Sequence, residues 1–132
     1  MQIFKTRGVA RFTRREQIAD SSLQAAIERA ARGSIDADLG GGLIKQRVAR
    51  LGQGRSGGFR MIIAYREATR AVFLYGFAKS DLANISHDEL RTLRTLGANW
   101  LAASAEVVGQ ALIDGDLQEI AHGDEQIRPP CR

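Results

Sequence analysis

The sequence predicts an α+β domain in which N-terminal helices pack on a small antiparallel sheet and a C-terminal helix follows. Two observations predict this class. Residues 18–31 and 90–101 place apolar side chains near helical spacing, whereas residues 43–79 alternate with the period of two that is typical of strands. The strand-like segments also follow one another through short loops, which predicts an antiparallel meander.

The first third of the chain predicts one strand, one helix and one loop. Residues 2–6 have the composition of a short strand. The helix is expected to begin at Thr13 or Ser21 and to end near Arg32. Residues 36–42 (Asp-Ala-Asp-Leu-Gly-Gly-Gly) predict a loop, because three successive glycines lose too much backbone entropy to hold a regular element.

The rest of the chain predicts three strands and then two helices. The strands are expected at residues 43–51, 59–67 and 71–79. Ser86, with Glu89 three residues later, forms a capping-box pattern, which predicts a helix from there to about Ala103. A further short helix is expected at residues 104–113.

Length and composition limit the class of protein. The 132 residues, 44% hydrophobic and 26% charged, indicate one globular domain at residues 1–122 and a flexible C-terminal tail at residues 123–132. The chain has neither an apolar run of the roughly 18 residues that span a bilayer nor a signal peptide, so a cytoplasmic protein without a membrane partner is expected. With one cysteine, Cys131, and two histidines, we expect no internal disulfide, metal or cofactor.

Positive charge is concentrated in the middle of the chain. Residues 43–79 contain eight cations and one acid, which gives +7, whereas the whole chain carries +4 and residues 80–132, with four cations and nine acids, carry −5. Aromatic residues lie between these cations: Phe59, Tyr65, Phe73, Tyr75 and Phe77. Cations and aromatic rings on strands can hold a phosphate backbone and stack on bases, so RNA or DNA is the first partner expected. A solvated charged face is the alternative interpretation.

Alternation along each strand sorts these side chains by face. Lys45 and Arg47 share one face of the first central strand, and Arg60 and Arg66 point away from Phe59 in the second. If helices cover the apolar side, the remaining face can be cationic and partly aromatic. In the third strand, alternation predicts one face with Phe73, Tyr75, Phe77 and Lys79 and the other with Val72, Leu74 and Ala78.

Three successive motifs carry a family resemblance. They are Ile44-Lys-Gln-Arg-Val-Ala-Arg50, Gly54-Arg-Ser-Gly-Gly-Phe-Arg60 and Phe73-Leu-Tyr-Gly-Phe-Ala-Lys79. Together they resemble the RelE/ParE superfamily of toxins, and most closely the HigB-like branch of bacterial type II toxin–antitoxin systems. The resemblance implies a RelE-like α+β fold and a metal-independent mRNA interferase that cleaves message in the ribosomal A site. It also implies a cognate antitoxin, HigA-like, with a helix-turn-helix DNA-binding domain.

The resemblance implies site residues as well. The positions that match catalytic cations of the superfamily are Lys45, Arg47, Arg60 and Lys79. Contact with RNA or the ribosome is expected of Arg50, Arg55, Tyr75 and Phe77, whereas Arg66 and Arg70 are interpreted as docking or solvated charges. Arginine can stabilise a phosphorane because the N–H donors of its planar guanidinium group can bond two phosphate oxygens at once. The general base stays open, with Lys45, Lys79, Tyr65 and Tyr75 as candidates for proton transfer or stacking.

Two other functions stay open. A toxin of the same fold can be non-catalytic, as in the gyrase-targeting relatives, although the density of cations on the strands argues against this. A nucleic-acid-binding module would instead bind free RNA or DNA in a strongly salt-dependent way without cleaving it, because each neutralised phosphate releases counterions.

Overall fold

The computed structural model of the chain describes residues 1–49, 58–78 and 85–120, and it confirms the α+β class. The predicted C-terminal tail at residues 123–132 lies outside the described residues. In the described ranges, four helices and six strands follow one another as β1 (Gln2–Thr6), α1 (Arg7–Glu16), α2 (Asp20–Ala31), β2 (Ala37–Gly40), β3 (Leu43–Val48), β4 (Phe59–Arg66), β5 (Arg70–Ala78), α3 (His87–Ala102), α4 (Ala105–Asp114) and β6 (Leu117–Glu119).

The six strands form one sheet in the order β2-β3-β4-β5-β1-β6. Strands β3, β4 and β5 are antiparallel neighbours, as the predicted meander requires. The N-terminal strand β1 lies parallel to β5, and β6 closes the sheet antiparallel to β1. The sheet is therefore mostly, but not wholly, antiparallel, and β6 was not predicted.

The single helix predicted in the first third is in fact two helices. Thr6 begins α1, because its side-chain oxygen accepts a hydrogen bond from the backbone N–H of Val9. Gln17 ends α1 in the left-handed conformation, at φ 60°, and α2 begins three residues later. The apolar pattern missed α1 because this helix buries only Val9, Ala10 and Thr13.

The predicted glycine-rich loop contains a strand. Residues 37–40 form β2, and Gly41 and Gly42 make the turn into β3; φ is 82° for Gly40, 64° for Gly41 and 86° for Gly42. Glycine is needed in this turn because side chains with a Cβ rarely adopt positive φ. The loop prediction is thus wrong for residues 37–40.

The two C-terminal helices follow their prediction. The Ser86 hydroxyl accepts a hydrogen bond from the Glu89 N–H at 3.1 Å, and the Glu89 carboxylate accepts one from the Ser86 N–H at 2.9 Å. This capping box begins α3, and Ser104 caps α4 in a similar way through the N–H of Val107.

Helices cover both faces of the sheet. On one side, here called the α1/α2 face, the helices pack on the sheet through Val9, Leu23, Ile27, Ile44, Ile63 and Phe73. On the other side, the α3/α4 face, the core contains Leu43, Ile62, Val72, Leu74, Leu101 and Val108. Because the predicted cations of β3 and β4 share a face with Leu43 and Ile62, they lie on the α3/α4 face. Residues of α3 and α4 also cover part of that face, which was not predicted.

A β-bulge in β5 reorders its side chains. Ile63 pairs with Phe73 and Ile62 pairs with Tyr75, so Leu74 is an extra residue in the ladder. The bulge puts four side chains on the α3/α4 face: Val72, Leu74, Tyr75 and Phe77. The alternation predicted for this strand, which separated the first two of these from the last two, is therefore wrong.

Gly97 allows α3 to lie close to the sheet. A Cβ at this position would lie 3.0 Å from the Ala64 Cβ and 3.1 Å from the Leu43 Cδ2. We expect Gly97→Leu to lower the free energy of unfolding by about 1–3 kcal/mol, measured by urea denaturation, because the larger side chain overpacks this contact. Gly109→Ala in α4 is the control, since nothing lies within 4 Å of its Cβ. It should raise stability by about 0.5–1 kcal/mol through helix propensity; equal effects of the two changes would contradict the close approach.

Candidate functional site

Five predicted site residues meet at one end of the α3/α4 face. Arg47, Arg60 and Phe77 form one row across strands β3, β4 and β5. Lys45 and Tyr75 lie in the next row, on either side of Ile62. Residues directly opposed in antiparallel strands have Cβ atoms about 4.5–5.5 Å apart. We call Lys45, Arg47, Arg60, Tyr75 and Phe77 the cationic cluster.

Arg47 is fixed from the outer side of β3. Its backbone N–H donates to Asp36 Oδ2 at 2.7 Å, and its side-chain Nε donates to the same oxygen at 3.4 Å. The Arg47 carbonyl accepts a hydrogen bond from the Arg29 guanidinium in α2. Both the main chain and the side chain of Arg47 are therefore anchored.

A buried amide supports Asp36 from behind. Gln46 is fully buried, and its Nε2 donates to the carbonyls of Ala26 at 2.9 Å and Ser34 at 3.1 Å. Its Oε1 accepts the backbone N–H of Asp36 at 2.7 Å. Both donors and the acceptor oxygen of this side chain are thus engaged, as buried polar groups require. Gln46 and Asp36 were not predicted as site residues, although a glutamine between Ile44 and Val48 on the apolar side of a strand indicates a buried amide that needs hydrogen-bond partners.

Arg60 retains an unused hydrogen-bond donor. Its side chain is half-buried, and its Nη1 atom is buried without a hydrogen-bond partner among the residues that the structure describes. A buried donor without an acceptor is unfavourable by about 1–3 kcal/mol, and more for a charged group. A phosphate oxygen is an acceptor that would satisfy this guanidinium.

The two aromatic residues of the cluster differ in exposure. Tyr75 is 47% exposed, whereas Phe77 is 8% exposed. Their ring centroids lie 5.9 Å apart with the planes tilted by 35°. Tyr75 thus presents a ring to solvent, and Phe77 supports it from the side of the core.

A groove of about 310 Å³ runs beside Tyr75 toward the start of α3. It is lined by Tyr75, Ile85, Asp88, Glu89, Thr92 and Leu93. Small-ligand sites typically have volumes of about 300–1,000 Å³ and mostly apolar walls. The groove therefore has room for a small flat group next to the exposed ring.

Arg66 and Arg70 do not belong to the cluster. Arg66 Nη1 donates to the Leu101 carbonyl at 3.2 Å. Arg70 Nη1 donates to the carbonyls of Trp100 at 2.8 Å and Ala103 at 2.9 Å. Both arginines thus donate to carbonyls at the C-terminal end of α3 or at its C-cap Ala103, where carbonyls have few backbone donors; the Trp100 carbonyl also accepts the Ala103 N–H. Arg70 is buried, so its interpretation as a docking or solvated charge is wrong, whereas Arg66 is exposed and keeps that interpretation despite its bond to Leu101.

Tyr65 lies apart from the cluster. It packs on the α1/α2 face, opposite the face that carries Arg60. Burial and the nearby Glu67 carboxylate raise the pKa of its phenol above the ordinary value. Its hydroxyl has no hydrogen-bond partner within the described part of the chain. Of the two tyrosines considered for proton transfer or stacking, only Tyr75 belongs to the cationic cluster.

Three predicted site residues, Arg50, Arg55 and Lys79, lie outside the described residues. Within the described ranges, no group of three or more His, Cys, Asp or Glu side chains could hold a metal ion. None of the helices described in the structure is long and apolar enough to cross a membrane.

The fold and the cluster define a small α+β protein with opposed arginines on the central strands of its sheet. The sequence model of one family, described as "RelE toxin of RelE / RelB toxin-antitoxin system", matches residues 1–120. This chain belongs to the RelE toxin family, and its membership of a toxin–antitoxin system implies an antitoxin as partner. The comparison with curated proteins gave no match. The predicted RelE superfamily is confirmed, and the HigB-like branch stays a prediction.

Proposed function

We propose that this toxin is a metal-independent endoribonuclease that cleaves mRNA on the ribosome and thereby stops translation. The observation that carries the proposal is the direct opposition of Arg47 and Arg60, with an Arg60 donor that has no partner among the described residues. Two guanidinium groups on neighbouring strands can contact one phosphate from two sides.

The two arginines suit the charge that develops in RNA cleavage. The 2′-OH loses its proton and attacks the adjacent phosphorus, and the bond to the 5′-oxygen breaks. This leaves a 2′,3′-cyclic phosphate and a protonated 5′-hydroxyl. Negative charge grows on the non-bridging oxygens in the transition state, and fixed cations aimed at that charge are usually the largest catalytic contribution. We assign this role to Arg47 and Arg60.

We assign proton transfer to lysine. Lys45 lies two residues from Arg47 on the same face of β3, about 6.6 Å along the strand. This places its ammonium group within reach of an oxygen of the phosphate that the arginines would hold. Lys79 stays the second candidate for this step, because the family resemblance assigns it a catalytic position.

Tyr75 supports binding of a base. Its exposed ring lies one row from Arg60 and borders the groove at the start of α3. Aromatic stacking contributes about 1–3 kcal/mol per base and accepts any base. We propose that a nucleobase beside the cleaved phosphate stacks on Tyr75, with Phe77 as its support, and that Arg50 and Arg55 contact RNA or ribosomal phosphates.

The partners follow from the motifs of the HigB-like branch. We propose that the substrate is message held in the ribosomal A site in the cytoplasm, and that the antitoxin carries a helix-turn-helix DNA-binding domain. A small helix-turn-helix gene next to the toxin gene would support this branch. An adjacent antitoxin gene of another class would contradict the branch but not the enzymatic activity.

The test is a purified translation system programmed with a defined message, followed by primer extension. Wild-type toxin should cut ribosome-bound message and leave free RNA nearly intact. Lys45→Ala should reduce the cleavage rate by about 10²-fold or more, because general acid–base catalysis contributes 10²–10⁴-fold. Arg32→Ala is the control for loss of one positive charge, since this exposed residue follows α2 and should leave the rate within about twofold.

Two experimental results would contradict the proposed endoribonuclease activity and indicate another function. Inhibition of DNA supercoiling by gyrase without cut message would indicate a non-catalytic toxin of the same fold. Strong, salt-dependent binding of free RNA without cleavage would indicate a nucleic-acid-binding module.

A further inference from the structure

Asp36 and Arg60 lie on opposite sides of Arg47. The sheet order β2-β3-β4 places Asp36, which immediately precedes β2, beside one edge of β3 and Arg60 beside the other. The Arg47 backbone N–H and Nε both donate to the same Asp36 oxygen, at 2.7 Å and 3.4 Å. The carboxylate therefore holds the Arg47 side chain on the β2 side.

This arrangement separates two like charges. Arg47 and Arg60 are directly opposed, and guanidinium groups on opposed residues repel each other. The Asp36 carboxylate draws the guanidinium of Arg47 away from β4 and offsets part of that repulsion. Because arginine carries five N–H donors and the Nε contact uses one, the terminal nitrogens can still bind an anion between the strands.

The buried core fixes the position of Asp36. Gln46 accepts the Asp36 N–H at 2.7 Å and is itself bonded to the carbonyls of Ala26 and Ser34. Gln46 faces the α1/α2 core, while its neighbour Arg47 faces the opposite side of the sheet. Contacts on the buried face thus determine where the carboxylate lies on the functional face.

We propose that Asp36 is a positioning residue that orients Arg47 so that Arg47 and Arg60 bind one phosphate of the RNA from two sides. This inference rests on the proposed function. Asp36 acts through Arg47 and does not itself contact the substrate. An orienting group of this kind contributes to the rate because small displacements of a catalytic group from its reactive position slow the reaction strongly.

Asp36→Asn is the informative change. The amide oxygen can still accept the Arg47 N–H, so the fold should be retained, but the charge that holds the guanidinium is lost. We expect kcat for ribosome-bound message to fall about tenfold with KM and Tm nearly unchanged. Asp38→Asn is the matched control, because this residue of β2 is exposed and, within the described part of the chain, its carboxylate accepts a hydrogen bond from the Gly40 N–H and not from Arg47.

A double-mutant cycle separates positioning from a general structural role. In an Arg47→Ala background, Asp36→Asn should have less than about a twofold effect on cleavage, because the group through which it acts is absent. A tenfold loss in both backgrounds would show a structural role and overturn the proposal. Unchanged or faster cleavage by Asp36→Asn in the wild-type background would overturn it as well.

A measurement independent of cleavage distinguishes failure of this inference from failure of the proposed function. In ¹⁵N NMR spectra, the Nε–H of Arg47 should exchange with water more slowly than that of Arg91, whose side chain is 75% exposed. Asp36→Asn should abolish the difference. Equal exchange in the wild-type toxin would overturn the positioning even if message is cut, whereas slow exchange in a toxin that cuts no message would overturn only the proposed function and its catalytic consequence.

Discussion

Arg60→Ala is expected to reduce cleavage of ribosome-bound message by about 10²–10³-fold, the loss seen when one preorganised group that stabilises transition-state charge is removed. Arg60 lies half-buried beside Arg47, and its Nη1 has no hydrogen-bond partner in the described ranges. Since this donor has no partner among the described residues, we assign it to the phosphate. The Tm should change little, because the substitution removes a buried donor atom that has no partner in the described ranges.

Arg60→Lys separates charge from shape. Lysine keeps the positive charge but lacks the planar guanidinium group that bonds two oxygens at once. We therefore expect about a tenfold loss of activity, which places the cleavage rate of Arg60→Lys between those of the wild type and Arg60→Ala. Rates are measured by primer extension in the purified translation system, and folding is checked by thermal unfolding of each variant. Wild-type activity of Arg60→Ala would remove Arg60 from the site, and an activity loss that only follows unfolding would assign it a structural role.

The fold was predictable where local patterns agree with tertiary contacts. Alternation identified β3, β4 and β5, and the capping box at Ser86 identified the start of α3. The bulge at Leu74 was not predictable, because strand alternation assumes one residue per position. The register between β4 and β5 can be assigned only when the residues of β4 that flank the bulge, Ile62 and Ile63, are known to pair with Tyr75 and Phe73. This single extra residue decides that Tyr75 shares a face with Arg60.

The candidate site was predictable only in part. Alternation in β3 and β4 placed Lys45, Arg47 and Arg60 on one face, and the structure brings them together. Asp36 and Gln46 were not predictable, because they reach Arg47 through contacts between segments that no local pattern links. The cluster thus depends on a buried polar network as much as on its own cations.

Charge counts overestimated the surface available for RNA. Of the eight cations between residues 43 and 79, five lie in the described ranges: Lys45, Arg47, Arg60, Arg66 and Arg70. Two of these five bond to the end of α3, so only three belong to the cluster. The number of cations in a segment does not show which of them bond to a helix end and which face a ligand, because both kinds contribute the same charge to the composition.

Arg70→Ala is expected to lower the free energy of unfolding by about 2–4 kcal/mol and the Tm by about 7–14 °C. Arg70 is 9% exposed, and its side chain connects three segments. Its Nε donates to Gln2 Oε1 in β1 at 3.0 Å, and its Nη1 donates to Trp100 and Ala103 at the end of α3. Removal of the guanidinium takes this donor from the Ala103 carbonyl, leaves the Trp100 carbonyl with only the Ala103 N–H, and weakens the attachment of the helix end to the sheet.

Arg66→Ala provides the matched comparison for Arg70→Ala. Arg66 lies in the same cross-strand pair, but this residue is exposed and its guanidinium donates to the Leu101 carbonyl at 3.2 Å, so a loss of only about 0.5–1.5 kcal/mol is expected. Below the Tm of each variant, both should cut message at the wild-type rate per folded molecule. A stable Arg70→Ala toxin that has lost cleavage would show that this cation serves RNA after all. Since both substitutions remove one positive charge, unequal stability with equal cleavage would establish that position in the fold, and not charge, determines their role.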